Sequence, residues 1–183
     1  MQLHSHVTRR DLIKTTLAAA AVSLVPSFAR ASLAAAPARS LQFYNTHTAE
    51  SLKTVYWENG SYIPEALGSI NHILRDFRTN TVKPIDPRLL DLLASLHNRL
   101  DSNTPFEIIS GYRSPQTNAA LHARSSGVAS HSMHIEGKAI DIRLTDKPLA
   151  MLHNAALAMN AGGVGYYPGS DFVHVDTGRV RHW

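Results

Sequence analysis

The chain has 183 residues, no cysteine and a formal net charge of +4. Four bases (Arg9, Arg10, Lys14 and Arg30) and one acid (Asp11) stand in the first 31 residues; without that stretch the balance falls to +1, which leaves no compositional case for nucleic-acid binding. The lack of cysteine excludes disulfides, a thiol nucleophile, thiolate metal ligands and a lipid anchor on an N-terminal cysteine, so any metal must be held by His, Asp or Glu.

At the N-terminus, Thr8-Arg9-Arg10-Asp11-Leu12-Ile13-Lys14 is a charged segment, followed by an alanine-rich apolar run to Phe28 and by Ala29-Arg30-Ala31, which fits a small-x-small cleavage site. Residues 1–31 therefore read as an export signal, and the paired arginines point to the twin-arginine export machinery and a periplasmic or cell-envelope destination. The apolar run is shorter than the roughly 20 residues a spanning helix needs; an N-terminal anchor is the alternative reading, and no stable membrane span is expected after processing. Residues 32–40 look like a flexible lead-in, and residues 41–183 suffice for one domain with one core.

Leu41 to Asn45 and Thr54 to Trp57 have strand character and Asn59-Gly60 is a turn signal, which predicts a small hairpin. Leu67, Ile70, Ile73, Leu74 and Phe77 recur at helical spacing from Pro64 to about Phe77. Asp86-Pro87 opens a second helix carrying Leu89, Leu90, Leu93, Leu96 and Leu100, with Asp86 as N-cap. Phe106 to Ser110 reads as a strand running into Gly111-Tyr112-Arg113-Ser114-Pro115 and a short helix to about His122. Ala139 to Leu144 alternates, Lys147 to Asn160 is helical, and strands are expected around Val164–Tyr167 and Phe172–Val175. The fold class is α+β: a single small domain with an antiparallel sheet and helices packed on one face.

Within this frame His134, Asp141 and His174 are candidate metal ligands. Alternation turns Asp141 away from Ile140 and Ile142, and puts Phe172, His174 and Asp176 on one face of a later strand. Two imidazoles and a carboxylate suit zinc and leave a coordination position for water. Asp171 stands three residues before His174, so a regular strand would send the two to opposite faces. Asp171 is then either a general base at the strand entrance or a turn residue after Pro168-Gly169-Ser170.

His131 could touch metal or substrate, Asp176 could orient a ligating histidine or accept in a turn, and Gln116 and Asn118 could line a groove or bond at a helix N-terminus. His122, His153 and His182 read as surface groups, and Trp183 as packing for the last strand.

These motifs resemble the zinc D-alanyl-D-alanine metallopeptidases, related to lysostaphin-type enzymes and the hedgehog signalling domain. The family signature S-x-H-x-x-G-x-A-x-D is filled by Ser132, His134, Gly137, Ala139 and Asp141, its acid-x-x-His element by Asp171 and His174, and its Tyr-Arg-Ser element by Tyr112, Arg113 and Ser114. The resemblance implies a hedgehog-like fold, one zinc ion on His134, Asp141 and His174, Asp171 as base, and Arg113 as stabiliser of the oxyanion. Asp stands at 171 where some members carry Glu. With an export signal, the chain looks like the murein endopeptidase branch, which cuts peptide cross-links in peptidoglycan, with a D-centre at the bond and diaminopimelate on both sides as one suggestion. The competing readings are a D,D-carboxypeptidase and a zinc-containing wall-binding module without catalysis.

Overall fold

The computed structural model describes residues 37–124 and 129–183; the export-signal reading of residues 1–31 lies outside the described residues. The elements in order are β1 (Arg39–Asn45), β2 (Ser51–Glu58), β3 (Ser61–Tyr62), α1 (Pro64–Ile73), α2 (Pro87–Leu100), β4 (Phe106–Ser110), α3 (Pro115–His122), β5 (Ala139–Arg143), α4 (Leu149–Met159), β6 (Gly163–Tyr167), β7 (Phe172–Asp176) and β8 (Arg181–His182). The strands form one sheet in the order β3-β2-β1-β4-β5-β7-β6-β8. Its pairings are antiparallel except β1 with β4 and β6 with β8, so the α+β expectation holds with two parallel exceptions.

Local rules account for most boundaries. Asn59 and Gly60 take φ of 52° and 84°, the left-handed pair that a tight hairpin turn needs before β3. Asp86 caps α2 by accepting from the Arg88 N–H at 3.0 Å, and Pro87 fills the first helical position, where its missing N–H costs nothing. The α2 leucines at 89, 90, 93, 96 and 100 all sink into the core, each stabilising the fold by about 1.5–3 kcal/mol of burial. They meet Leu41, Phe43, Phe106, Ile108, Ile140, Ile142, Val173 and Val175 from the sheet and Leu152 and Ala156 from α4. Helix α3 adds nothing to that cluster; its buried residues are the polar Thr117 and Asn118.

Several boundaries differ from expectation; β2, for one, starts at Ser51 rather than Thr54. Arg39 and Ser40 belong to β1 rather than to a loose lead-in, because Arg39 pairs opposite Trp57 and its guanidinium reaches Asp91 Oδ1 at 2.6 Å. Helix α4 begins at Leu149, after Pro148 with ψ of 139°. Helix α1 stops at Ile73 instead of near Phe77: the chain turns back so that the Asp76 N–H donates to the Thr81 carbonyl at 3.0 Å, and Phe77 stacks on His47 with ring centroids 4.0 Å apart. This early stop leaves the Leu74 carbonyl to accept from the Tyr112 N–H at 2.7 Å, which ties α1 to the loop after β4.

Candidate metal centre

The loop after β4 can only be built with glycine at its start. A Cβ on Gly111 would lie 2.5 Å from the Leu74 carbonyl oxygen. Three residues on, the Ser114 N–H donates at 2.9 Å to the buried Asp76 carboxylate, which also accepts from the Arg78 N–H at 3.0 Å. Burial pushes the Asp76 carboxyl up, but bonds from the Ser114 and Thr117 side chains and from these backbone donors outweigh it and pull the pKa down to about 2. Ser114 then caps α3, accepting from the Thr117 N–H at 3.2 Å. Arg113 is thus held between two fixed neighbours.

Residues 132–137 form a tight turn. Ser132 Oγ accepts from the His134 N–H at 3.3 Å, and Gly137 takes φ of 69°, where a Cβ would sit 2.6 Å from the Pro84 carbonyl oxygen. The Gly137 carbonyl accepts from the Asp86 N–H at 2.9 Å, docking the turn on the start of α2. From there β5 begins, and Asp141 lies directly opposite His174 of β7.

His134, Asp141 and His174 converge, with one ligand atom from each lying within 4.8 Å of the others. His134 Nδ1–H donates to the Gly111 carbonyl at 2.7 Å, and His174 Nε2–H donates to Asp176 Oδ2 at 3.0 Å. These two bonds fix both tautomers, so His134 Nε2 and His174 Nδ1 carry lone pairs. Those nitrogens are 3.2 Å apart, and lie 3.3 and 2.8 Å from Asp141 Oδ1. Three buried acceptors facing one another without a proton to share are repulsive unless a cation stands among them, so the donor set fits a divalent metal such as zinc.

The electrostatics agree with a cation-seeking site. Burial raises the Asp141 carboxyl, but the two imidazoles beside it outweigh that and hold it below the usual carboxylate range. Burial lowers His134, which favours its neutral, ligating form. Burial also lowers His174, but the carboxylates of Asp141 and Asp176 on either side turn the balance upward, so without a cation among the three groups this imidazole draws a proton instead. Asp176, fully buried, also accepts from the Gly163 and Gly178 N–H groups at 3.0 and 2.8 Å and from Arg181 at 2.6 Å. It is therefore the carboxylate that orients His174, rather than only a turn acceptor.

Arg113 lies beside this cluster with unused donors. Its Nη2 is 3.6 Å from Asp141 Oδ2, its Nη1 reaches Asn118 Oδ1 only at 3.5 Å, and its buried Nε has no partner among the described residues. Asn118 is itself held, donating to the Ala129 and Ser130 carbonyls at 3.1 and 3.3 Å. The His134–Asp141–His174 cluster and the guanidinium open into a cleft of 370 Å³ whose other walls include His131, Tyr167, Phe172 and Trp183.

Not every predicted residue arrives there. Asp171 is corrected: with φ of 54° it turns outward, its carboxylate accepts from Arg143 Nη1 at 2.8 Å, and its side chain is 62% exposed. It lines a neighbouring depression rather than the cleft, so the turn-residue alternative fits its place and the base role does not. Tyr112 packs in the apolar core, since the bond from its N–H to Leu74 turns it inward, and Gln116 is exposed on α3 outside the cleft lining. Ser132 lines the cleft and caps the His134 turn, and His131 stands exposed at the rim with Nδ1 3.2 Å from Ser130 Oγ.

Asp76 and the Gly111 carbonyl were not foreseen, because each acts on a residue more than 20 positions away. Trp183, expected only to pack the last strand, pairs its backbone with β6, and its half-exposed ring walls the cleft 5.3 Å from the His174 ring, where its Nε1–H donates to the Tyr167 hydroxyl at 2.6 Å.

Comparison with known proteins agrees with this geometry. The profile of the Peptidase_M15_2 family, described as "Peptidoglycan L,D-endopeptidase MepK", matches residues 33–183. The peptidoglycan L,D-endopeptidase MepK of Escherichia coli (strain K12) is 45% identical over 175 residues, 96% of each chain, and that of Shigella flexneri gives the same figures. The probable peptidoglycan L,D-endopeptidase MepK of Haemophilus influenzae is 40% identical over 163 residues, 88% of each chain. The chain belongs to this M15 family of peptidases.

Proposed function

We propose that this chain is a zinc-dependent peptidoglycan endopeptidase that hydrolyses an L,D peptide bond in wall cross-links, with His134, Asp141 and His174 as ligands. The observation that carries the reading is the meeting of His134 Nε2, His174 Nδ1 and Asp141 Oδ1 beside the under-bonded guanidinium of Arg113. Bound zinc supplies Lewis acidity, polarising a carbonyl and lowering the pKa of water.

The protein's own residues do the rest. Gly111 and Asp176 hold the two imidazoles in their ligating tautomers. Arg113, fixed by the Asp76-anchored loop and by Asn118, turns free N–H donors toward the place where negative charge gathers on the scissile oxygen. Tyr167, Phe172 and Trp183 form an aromatic wall along the cleft, with Tyr167 stacked on Phe172 at 4.5 Å, and screen it from water on that side. Substrate and location agree: the relatives named for peptidoglycan cleavage cover nearly the whole chain, and an export route through Arg9 and Arg10 would deliver the enzyme to the envelope.

The test is digestion of muropeptides with defined cross-links, with zinc and with chelator, read by mass spectrometry. Zinc-dependent appearance of monomers from L,D-linked dimers is expected. Binding without cleavage would replace the enzyme by a wall-binding module, and loss of terminal D-alanine alone would make it a carboxypeptidase. For the export route, changing Arg9 and Arg10 to lysine should leave the protein in the cytoplasm.

A further inference from the structure

One strand repeat from the metal cluster, the same sheet face carries a second polar depression. Asp141 and Arg143 are two residues apart on β5 and share a face, roughly 6.7 Å from one another along the strand. Arg143 pairs opposite Glu107 of β4, with Nε 2.5 Å from Glu107 Oε2 and Nη1 2.8 Å from Asp171 Oδ2, so neither acid occupies its Nη2. With Thr145 and Lys147 these groups line a cavity of 450 Å³. Asp171 borders it while its neighbours Ser170 and Phe172 border the metal cleft, so the two depressions flank residues 170–172.

Two acids and two bases facing one hollow suit a ligand that carries both charges on one carbon. We propose that this hollow is the subsite for the free amino-carboxylate end of the diamino acid whose L-centre carbonyl is cut, with its carboxylate on Arg143 and its ammonium on Asp171. This rests on the endopeptidase reading above. The reach is right: in diaminopimelate five C–C bonds of about 1.5 Å join the carbonyl carbon to the far amino-bearing carbon, roughly 6 Å when extended. That spans the one repeat between Asp141 and Arg143. Lysine at the same position would keep the ammonium but lose the carboxylate, so Arg143 becomes the residue that separates the two diamino acids. An Arg143 that merely bridged β4 to β5 through Glu107 would not distinguish them.

The test is calorimetric titration of the purified chain with a short peptide ending in meso-diaminopimelate and with the same peptide ending in lysine. The diaminopimelate peptide should bind about ten-fold more tightly, and Arg143→Gln should bring the two within about two-fold. Asp171→Asn, at an exposed site that spares the fold, should weaken both peptides several-fold and equally, since both carry the ammonium. Equal wild-type affinities, a preference that survives Arg143→Gln, or unchanged binding in Asp171→Asn would overturn the subsite. The endopeptidase reading fails separately, if a chain that shows this preference leaves cross-linked dimers uncut in the presence of zinc.

Discussion

The two faces of β5 and β7 are made from the same strands and obey opposite rules. On one face Ile140, Ile142, Val173 and Val175 meet the helices, and what matters is apolar volume. On the other, Asp141, His174 and Asp176 meet each other, and what matters is which atom carries a proton. The apolar face can absorb a lost methyl; the polar face cannot lose a charge without leaving another buried and unpaired. Strand alternation thus lets one short segment hold a forgiving core and an unforgiving site back to back.

The contrast can be broken by substitution on either side. The largest effect should come from His174→Ala, which removes a ligand: cross-link cleavage should fall by more than about a thousand-fold and zinc should no longer bind at stoichiometry in equilibrium dialysis. Asp176→Asn keeps the shape but weakens the hold on the His174 tautomer, so zinc affinity should drop about 10- to 100-fold in a chelator competition.

Asp76 tests whether the arginine loop depends on a carboxylate outside the cleft. Its depressed pKa stabilises the fold fully above the ordinary carboxylate range, and that stability disappears as pH falls toward about 2. Acid unfolding of the wild type should therefore lose roughly 2 kcal/mol over that window relative to Asp76→Asn, which has no such carboxyl to protonate. The smallest effect belongs to the apolar face: Ile142→Val should cost about 0.5–1.5 kcal/mol in denaturant unfolding and leave zinc affinity unchanged. A shift in zinc affinity there would mean that the two faces are coupled.

What was legible in the sequence is what short-range rules decide. The opposed faces of Asp141 and Ile142 follow from a two-residue period, and the starts of α2 and α3 from a cap followed by proline. The meeting of His134, Asp141 and His174 was legible because His134 and Asp141 lie in one turn and the strand it feeds, and His174 sits on a clear alternating strand. Asp171 was misplaced for the complementary reason: its left-handed backbone is set by the turn after Pro168, and its partner Arg143 is 28 positions away. Tyr112 likewise sits in a motif but packs in the core, because the early end of α1 presents the Leu74 carbonyl to its N–H. The anchoring of Ser114 by Asp76 spans 38 positions and has no local signature.

The central claim is that the buried acceptors of His134, Asp141 and His174 form a zinc site with assigned atoms. It is tested most directly by an anomalous difference map, at the zinc absorption edge, from crystals grown with zinc. The predicted result is one peak at about 2.0–2.2 Å from His134 Nε2, His174 Nδ1 and an Asp141 carboxylate oxygen. A crystal with zinc bound elsewhere and these three groups uncoordinated, or a peak ligated through His134 Nδ1 or His174 Nε2, would contradict it.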